Sequence, residues 1–404
     1  MSRRAFLGAS AVATLSVQPV RCWVSANPMS DDLVLSSAMS ISKAIRSGQV
    51  STVEVVKACL ARIEKVNSKI NAVVTLAADR ALDEAKRSDA ELARGRCRGL
   101  LHGVPMTIKD SFDTAGVVST AGTTGRRHYV PRRDATAVAR LRAAGAILLG
   151  KTNTPELTMS YDTRNLLFGF TKNPYDQSKS PGGSSGGAAA IVASGGVPFD
   201  FGSDTGGSVR VPSCFCGVAG IKPTTGRMPL TGHIIHTGQG IIDPRTQIGP
   251  IARYVDDLFP LLRETVGPDG RDPAVVPMPL RNPGSVKIGD MRIAYHTDNG
   301  IRAASPEVAK TVRRAAAALT DVAAKVEENC PKALARLMEF WHLPNMVDGC
   351  EWLKQILREA GTERWDPHID WMAGASSVSG EESTRLYRGM QQCRADLTQY
   401  MERY

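Results

Sequence analysis

No stretch of 18 or more uncharged apolar residues occurs in this chain of 404 residues, so no segment is expected to cross a membrane as a helix. No internal repeat of solenoid length is visible, which excludes a stacked-repeat architecture. No Pro/Gly/Ser-rich linker divides the chain, so no independent second domain is expected. The formal charge of +10 comes without a basic block or an interleaved aromatic stripe. Three of those charges (Arg3, Arg4, Arg21) fall in the first 26 residues, which hold no acid, and the other basic residues are scattered among acids. A solvated basic surface is the reading, and nucleic acid is not an expected partner.

Metal-binding text is equally sparse. Cys214-Phe215-Cys216 is too close for a zinc knuckle and lacks a partner pair, and His233 and His236 stand alone. No metal and no cofactor are expected. The eight cysteines become seven if Cys22 leaves with a signal segment, and an odd number leaves at least one unpaired.

What is present fits a folded globular chain, with 42% apolar and 22% charged residues. Ser2-Arg3-Arg4-Ala5-Phe6-Leu7 precedes a modest apolar run to Val17 and resembles the twin-arginine export signal of bacteria. Val24-Ser25-Ala26 offers a peptidase site, so the expected division is a signal segment at 1–26 and a mature chain at 27–404, delivered to a periplasm.

Spacing of apolar residues predicts mostly helix from Asp31 to Val74, with Ile41, Ala44 and Ile45, then Val53, Val56, Leu60 and Ile63, on one face. A second helix is expected at Ala78–Ala93, a short strand at Leu101–Ile108, a helix at Ala135–Ala144 and a buried strand at Ala146–Leu149. A Gly/Ser loop at Ser180–Gly187 runs into a helix at Ala188–Ser194, followed by a strand at Val197–Gly202. Strands alternating with helices argue for an α/β domain in which helices cover a sheet. Beyond that, Val286–Tyr295 could supply one strand. Ser305-Pro306 opens a helix to about Glu328, and Thr384–Tyr404 reads as a last helix. Trp341, Trp352, Trp365 and Trp371 cluster in one stretch and read as core packing, with a pocket wall as the alternative.

Two motifs are decoys. Gly145-Ala-Ile-Leu-Leu-Gly150-Lys151-Thr152 spells a phosphate-binding loop, but its four intervening residues are strand-like. Gly183-Ser184-Ser185-Gly186-Gly187 fits G-x-S-x-G, yet loop residues precede it where a nucleophile elbow needs a strand. The informative text is the pair of Gly/Ser segments, Ser184-Ser185 in a glycine cradle and Gly206-Gly207-Ser208 further on. Glycine N–H groups there can point at an anion or oxyanion. A serine nucleophile needs a base. No histidine stands in a suitable setting, which leaves Lys109, at the end of an apolar strand where desolvation would lower its pKa.

Gly103-Val-Pro-Met-Thr-Ile-Lys109-Asp110, Gly150-Lys-Thr-Asn-Thr-Pro-Glu156 and Ser180-Pro-Gly-Gly-Ser-Ser-Gly-Gly187 occur in order with Gly202-Ser-Asp-Thr-Gly-Gly-Ser-Val-Arg-Val-Pro212 and Gly217-Val-Ala-Gly-Ile-Lys-Pro-Thr224. Together they resemble the amidase signature family of Ser-Ser-Lys amide hydrolases, most specifically between Leu101 and Arg253. The resemblance implies one large α/β domain with a central mixed twisted sheet covered by helices on both faces. It implies Ser208 as the nucleophile that forms an acyl-enzyme, Ser184, after a cis non-proline bond, as the relay, and Lys109 as the base. It further implies an oxyanion hole from the backbone of Thr205, Gly206, Gly207 and Ser208. Ser185 would support Ser184, an Asp204–Arg210 pair would hold the turn, and Thr158 would touch the substrate pocket. The expected partner is a small-molecule amide; a homodimer is left open. The family normally continues past a point like Tyr404 with a core strand and closing helices. The expectation is therefore a catalytic core at 101–253 and a helical, incomplete C-terminal part at 260–404. An inactive shortened relative is the alternative, with an amidotransferase-type subunit behind it.

Overall fold

A computed structural model describes residues 31–236, 245–340 and 346–404. The signal-like segment at 1–26 and Trp341 lie outside the described residues. The N-terminal helical stretch divides into α1 (Ala38–Arg46) and α2 (Thr52–Ile70), and the chain then enters strand β1 (Val73–Leu76). Helix α2 begins with a reciprocal cap: Ser51 Oγ accepts from Glu54 N–H, and Glu54 Oε2 accepts from Ser51 N–H at 2.8 Å. It ends at Asn71, whose left-handed φ of 51° turns the chain into β1. Helix α3 (Ala78–Ala93) has the expected bounds.

The core is built on β2 (Pro105–Lys109), α4 (Thr136–Ala143), β3 (Ile147–Thr152), α5 (Gly186–Ala193), β4 (Phe199–Asp204), α6 (Arg210–Phe215), β5 (Ala219–Gly220), β6 (Gln247–Ala252) and α7 (Val255–Arg263). Hydrogen bonding sorts the strands into two three-stranded sheets, ordered β1-β3-β2 and β4-β6-β5. The β2–β3 pair is parallel and the others are antiparallel, which makes the layer mixed as expected. The two sheets meet where β2 lies alongside β4. Side chains close that seam: Thr107 Oγ1 donates to Asp200 Oδ2 at 2.6 Å, and Lys109 Nζ reaches Ser203 Oγ at 3.0 Å.

Helix α5 packs against strands of both sheets. Its sequence, Gly-Gly-Ala-Ala-Ala-Ile-Val-Ala, has no charged face, and Gly186–Val192 are all buried, as a helix inside a core must be. The glycines at its start are required by space: a Cβ on Gly187 would fall 2.4 Å from Asn153 N, and one on Gly186 2.3 Å from Thr163 Oγ1. The phosphate-loop decoy resolves as β3, with Lys151 fully buried and its Nζ bonded to Phe112 O, Thr114 Oγ1 and Ser119 Oγ.

The C-terminal part narrows one expectation and corrects another. Of Val286–Tyr295 only Arg292–Tyr295 is a strand (β7), after two single 3-10 turns. The helix opened by Ser305-Pro306 stops at Thr320 (α8, Pro306–Thr320), and Lys325–Glu328 form β8, parallel to β7. Pairing with a distant strand has overridden the helical pattern there. Helix α9 (Glu351–Ala360) buries Trp352, Leu353, Ile356 and Leu357 against Ala121, Leu157, Ile234 and Ile235 of the core, and the last helix, α10, spans Gly380–Met401. All seven described cysteines are free thiols, and among the described residues no helix is long and apolar enough to cross a membrane.

Helix α1 has its first N–H groups satisfied from far along the chain. Asp257 Oδ2 and Oδ1 accept from Ala38 and Met39 N–H at 2.9 and 3.0 Å, tying α1 to α7. Asp257→Ala should leave both donors unpaired and lower stability by about 2 kcal/mol. The check is the urea midpoint at unchanged slope; an unmoved midpoint would contradict the assignment.

Candidate active site

Strand β2 carries Lys109 into the seam, where it is fully buried. Its Nζ stands 2.7 Å from Ser184 Oγ and 3.0 Å from Ser203 Oγ. Both near partners are hydroxyls. Burial therefore dominates, lowering the Lys109 pKa to about 7 against the opposing pull of Asp204 and Asp200. Near neutral pH a large share of Lys109 is the free amine.

Ser184 follows a cis Gly183–Ser184 peptide bond and is buried. The glycines around it allow close approach of backbone: a Cβ on Gly183 would fall 2.7 Å from Tyr161 C. Ser185 N–H donates to Ser208 O at 3.1 Å, joining the two Gly/Ser segments, and Ser185 Oγ bonds to Ser203 O at 3.4 Å. No hydrogen bond joins Ser184 Oγ to Ser208 Oγ. Of the expected Lys109–Ser184–Ser208 chain, the structure makes the first link and leaves the second unmade; such contacts commonly tighten only when substrate is bound.

The turn from β4 into α6 is organised around the Asp204 carboxylate. Oδ1 accepts from Gly207 N–H at 2.8 Å, and Oδ2 accepts from Val209 and Arg210 N–H at 3.0 and 3.2 Å. The Arg210 guanidinium binds both oxygens, at 2.8 and 3.0 Å. Burial alone would raise this carboxyl, but the Arg210 and backbone donors outweigh it and hold the group below its usual range. Gly207, at φ +127°, supplies a conformation that favours glycine. Its N–H is committed to Asp204, which corrects the expectation of four oxyanion donors. The N–H groups of Thr205, Gly206 and Ser208 have no acceptor among the described residues.

Ser208 lines a cleft of about 300 Å³ with Thr158, Tyr161, Thr205, Arg245 and, from the C-terminal part, Met346, His368, Trp371 and Met372. Thr158 does reach this wall. It and Leu157 take left-handed φ angles of 65° and 49°, costly for a β-branched threonine. Their amides donate to Pro155 O and Ala121 O, which fixes the bend. Tyr161 OH donates to Gly206 O at 2.9 Å and so braces the turn. The tryptophan cluster divides: Trp352 is core and half-exposed Trp371 is cleft wall.

Sequence reasoning missed Ser203, the second hydroxyl on Lys109. Its signal was its place on β4 directly before Asp204. It also missed the C-terminal cleft residues, which no local motif marks. His233 is buried and bonded to Ser111 Oγ at 2.9 Å, away from the cleft; burial, then the Lys109 charge, lowers its pKa to about 3. It is not the base.

The amidase family profile matches residues 54–403. The chain belongs to the amidase family. It is 40% identical over 300 residues to a glutamyl-tRNA(Gln) amidotransferase subunit from Moorella thermoacetica, covering 74% of this chain and 61% of that protein. The chain therefore spans about three fifths of the length of that curated relative. Its fold is similar to fatty acid amide hydrolase (TM-score 0.84, 28% identity, 92% of this chain and 66% of that one). It is similar also to 6-aminohexanoate cyclic dimer hydrolase (TM-score 0.80, 29% identity, 91% and 77%).

The Asp204 cluster generates a prediction. Asp204→Asn places an amide donor where the native carboxylate meets only donors, and should lower stability by about 3 kcal/mol or more. Because folding lowers this pKa, the stabilisation is present above the ordinary carboxylate range and is lost as pH falls through the folded value. Chemical denaturation of both proteins at neutral and acid pH should therefore show curves that converge on acidification.

Proposed function

We propose that this amidase hydrolyses a carboxylic amide through an acyl-enzyme on Ser208, with Ser184 relaying the proton to Lys109. The observation that carries the reading is a buried lysine amine, depressed toward neutrality, 2.7 Å from Ser184 Oγ and joined through Ser185 N–H to the Ser208 turn. Ser208 Oγ attacks the carbonyl carbon while its proton passes through Ser184 Oγ to neutral Lys109 Nζ. The oxyanion forms beside the N–H groups of Gly206 and Ser208. The tetrahedral species collapses, the C–N bond breaks, and the amine leaves with the proton returned along the same path. Water then adds to the ester by the same relay, releasing the carboxylic acid and restoring Ser208.

The test is phosphonylation by a fluorophosphonate, read as intact mass, together with turnover of an amide panel. A single adduct is expected, absent in Ser208→Ala, with turnover falling at least about a thousandfold in that variant. Wild-type-like turnover by folded Ser208→Ala would sink the reading. The working form of Lys109 is the free amine, so the rate should fall on the acid side of about pH 7 as Lys109 takes a proton. A profile flat into mild acid would count against Lys109 as the base.

The 40% identity to an amidotransferase subunit supports a second reading, in which hydrolysis releases ammonia to an acceptor held by a partner. Turnover of simple carboxamides by the isolated chain favours the first reading; turnover that requires a partner favours the second. We further propose export on the strength of Arg3-Arg4 and the apolar run behind them. Replacing both arginines by lysine should hold the full chain in the cytoplasm of an expressing bacterium, as fractionation would show; unchanged export would refute the proposal.

A further inference from the structure

Asp200 is a fully buried carboxyl group that the relay leaves unused. It lies on β4, three residues before Ser203. Its Oδ2 accepts from Thr107 Oγ1 at 2.6 Å and from Thr152 Oγ1 at 3.0 Å, while Oδ1 is buried with no hydrogen-bond partner. Thr107 is two residues before Lys109 on β2, hence on the same side of that strand, so Asp200 and Lys109 occupy the same seam. A buried carboxyl group is costly unless hydrogen bonds or charge offset it. Two hydroxyl donors on one oxygen are the arrangement that favours its anion.

The other charged or titratable groups facing this seam have partners of their own. Asp204, on β4, is bonded by Arg210. Lys151, on β3, is held by Phe112 O, Thr114 and Ser119. Asp110, after β2, accepts from Thr120, and His233 is bonded to Ser111. Asp110 and Asp200 are both buried without a bonded arginine and each keeps one unpartnered oxygen, and of the two it is Asp200 whose charge acts on Lys109.

We propose that Asp200 is a positioning residue for the proton, its negative charge setting the proton affinity of Lys109 and stabilising the ammonium that forms as Ser208 attacks. The inference rests on the Ser208–Ser184–Lys109 reading. The electrostatics agree in direction. Asp204 and Asp200 pull the Lys109 pKa up against burial; burial also raises Asp200 to about 7, against which the Thr107 and Thr152 hydroxyls and the Lys151 charge favour its anion.

The experiment is the rate of Ser208 phosphonylation by a fluorophosphonate as a function of pH, in wild type, Asp200→Asn and Asp200→Ser. Both replacements are neutral and both can still accept from Thr107 and Thr152. The acid limb should move to lower pH by about one unit, the effect of one buried charge on its neighbour. A merely structural role would lower the rate or the stability and leave the limb in place. A folded variant whose limb superimposes on wild type, or moves to higher pH, overturns the proposal. If neither neutral variant folds, Thr152→Val decides: it keeps the carboxyl group, removes one donor to its anion, and should shift the limb the same way by a smaller step. An unmoved limb there overturns the proposal equally. Absence of a wild-type adduct, or a flat wild-type profile, would instead overturn the Ser-Ser-Lys reading itself.

Discussion

A lysine amine buried between two sheets, with hydroxyls instead of carboxylates as its nearest partners, is the constraint around which the rest of this structure is arranged. An ammonium there would need a counter-charge in contact. Lys109 has Ser184 and Ser203 in contact, and its carboxylates stand further off. The amine can stay uncharged near neutral pH, which a surface lysine would not do. The seam position is what makes this possible. β2 and β4 lie side by side without a shared hydrogen-bond ladder, so their side chains close the gap, and the groups that close it include the lysine of the proposed relay.

The second constraint is Asp204. One carboxylate collects three backbone N–H groups and a guanidinium within a single turn. Glycine at 207 permits the turn, and the carboxylate fixes it. Ser208 is thereby held at a place where its own N–H and that of Gly206 remain available. The same bonds explain why Gly207 contributes shape and not a donor. A glycine-rich segment read from sequence offers four equivalent N–H groups; folding distinguishes them, because a buried carboxylate must be satisfied first.

The core was legible because its signals are local. Lys109 ends an apolar strand, Ala78–Ala93 has a helical period, and the Gly/Ser segments sit between packed apolar runs. The decoys were legible for the same reason: Ala-Ile-Leu-Leu before Gly150 is strand text, and it is strand β3. What sequence did not carry was set by distant pairing. Lys325–Glu328 reads as the tail of a helix until Arg292–Tyr295 lies beside it. Ser203 gains meaning only when β2 comes alongside β4. Asp200 has no motif, being an aspartate beside phenylalanines in a strand; only its buried place in the seam with Lys109, with one oxygen unpartnered, marks it.

The cleft shows a division between the two parts of the chain. The groups proposed to move protons and hold charge lie between Lys109 and Arg210, in a core where Gly183, Gly186 and Gly187 sit against neighbours too close for any side chain. The far wall comes from Met346, His368, Trp371 and Met372, joined to the core through the α9 cluster and through contacts such as Thr123 Oγ1 to Thr362 Oγ1 at 2.7 Å. These wall residues contribute methionine thioethers, an indole and an imidazole, side chains that shape and select more than they react. On the proposed reading, substitution in the wall changes which amide fits without disturbing the seam, whereas a change in the seam alters the chemistry for every amide alike.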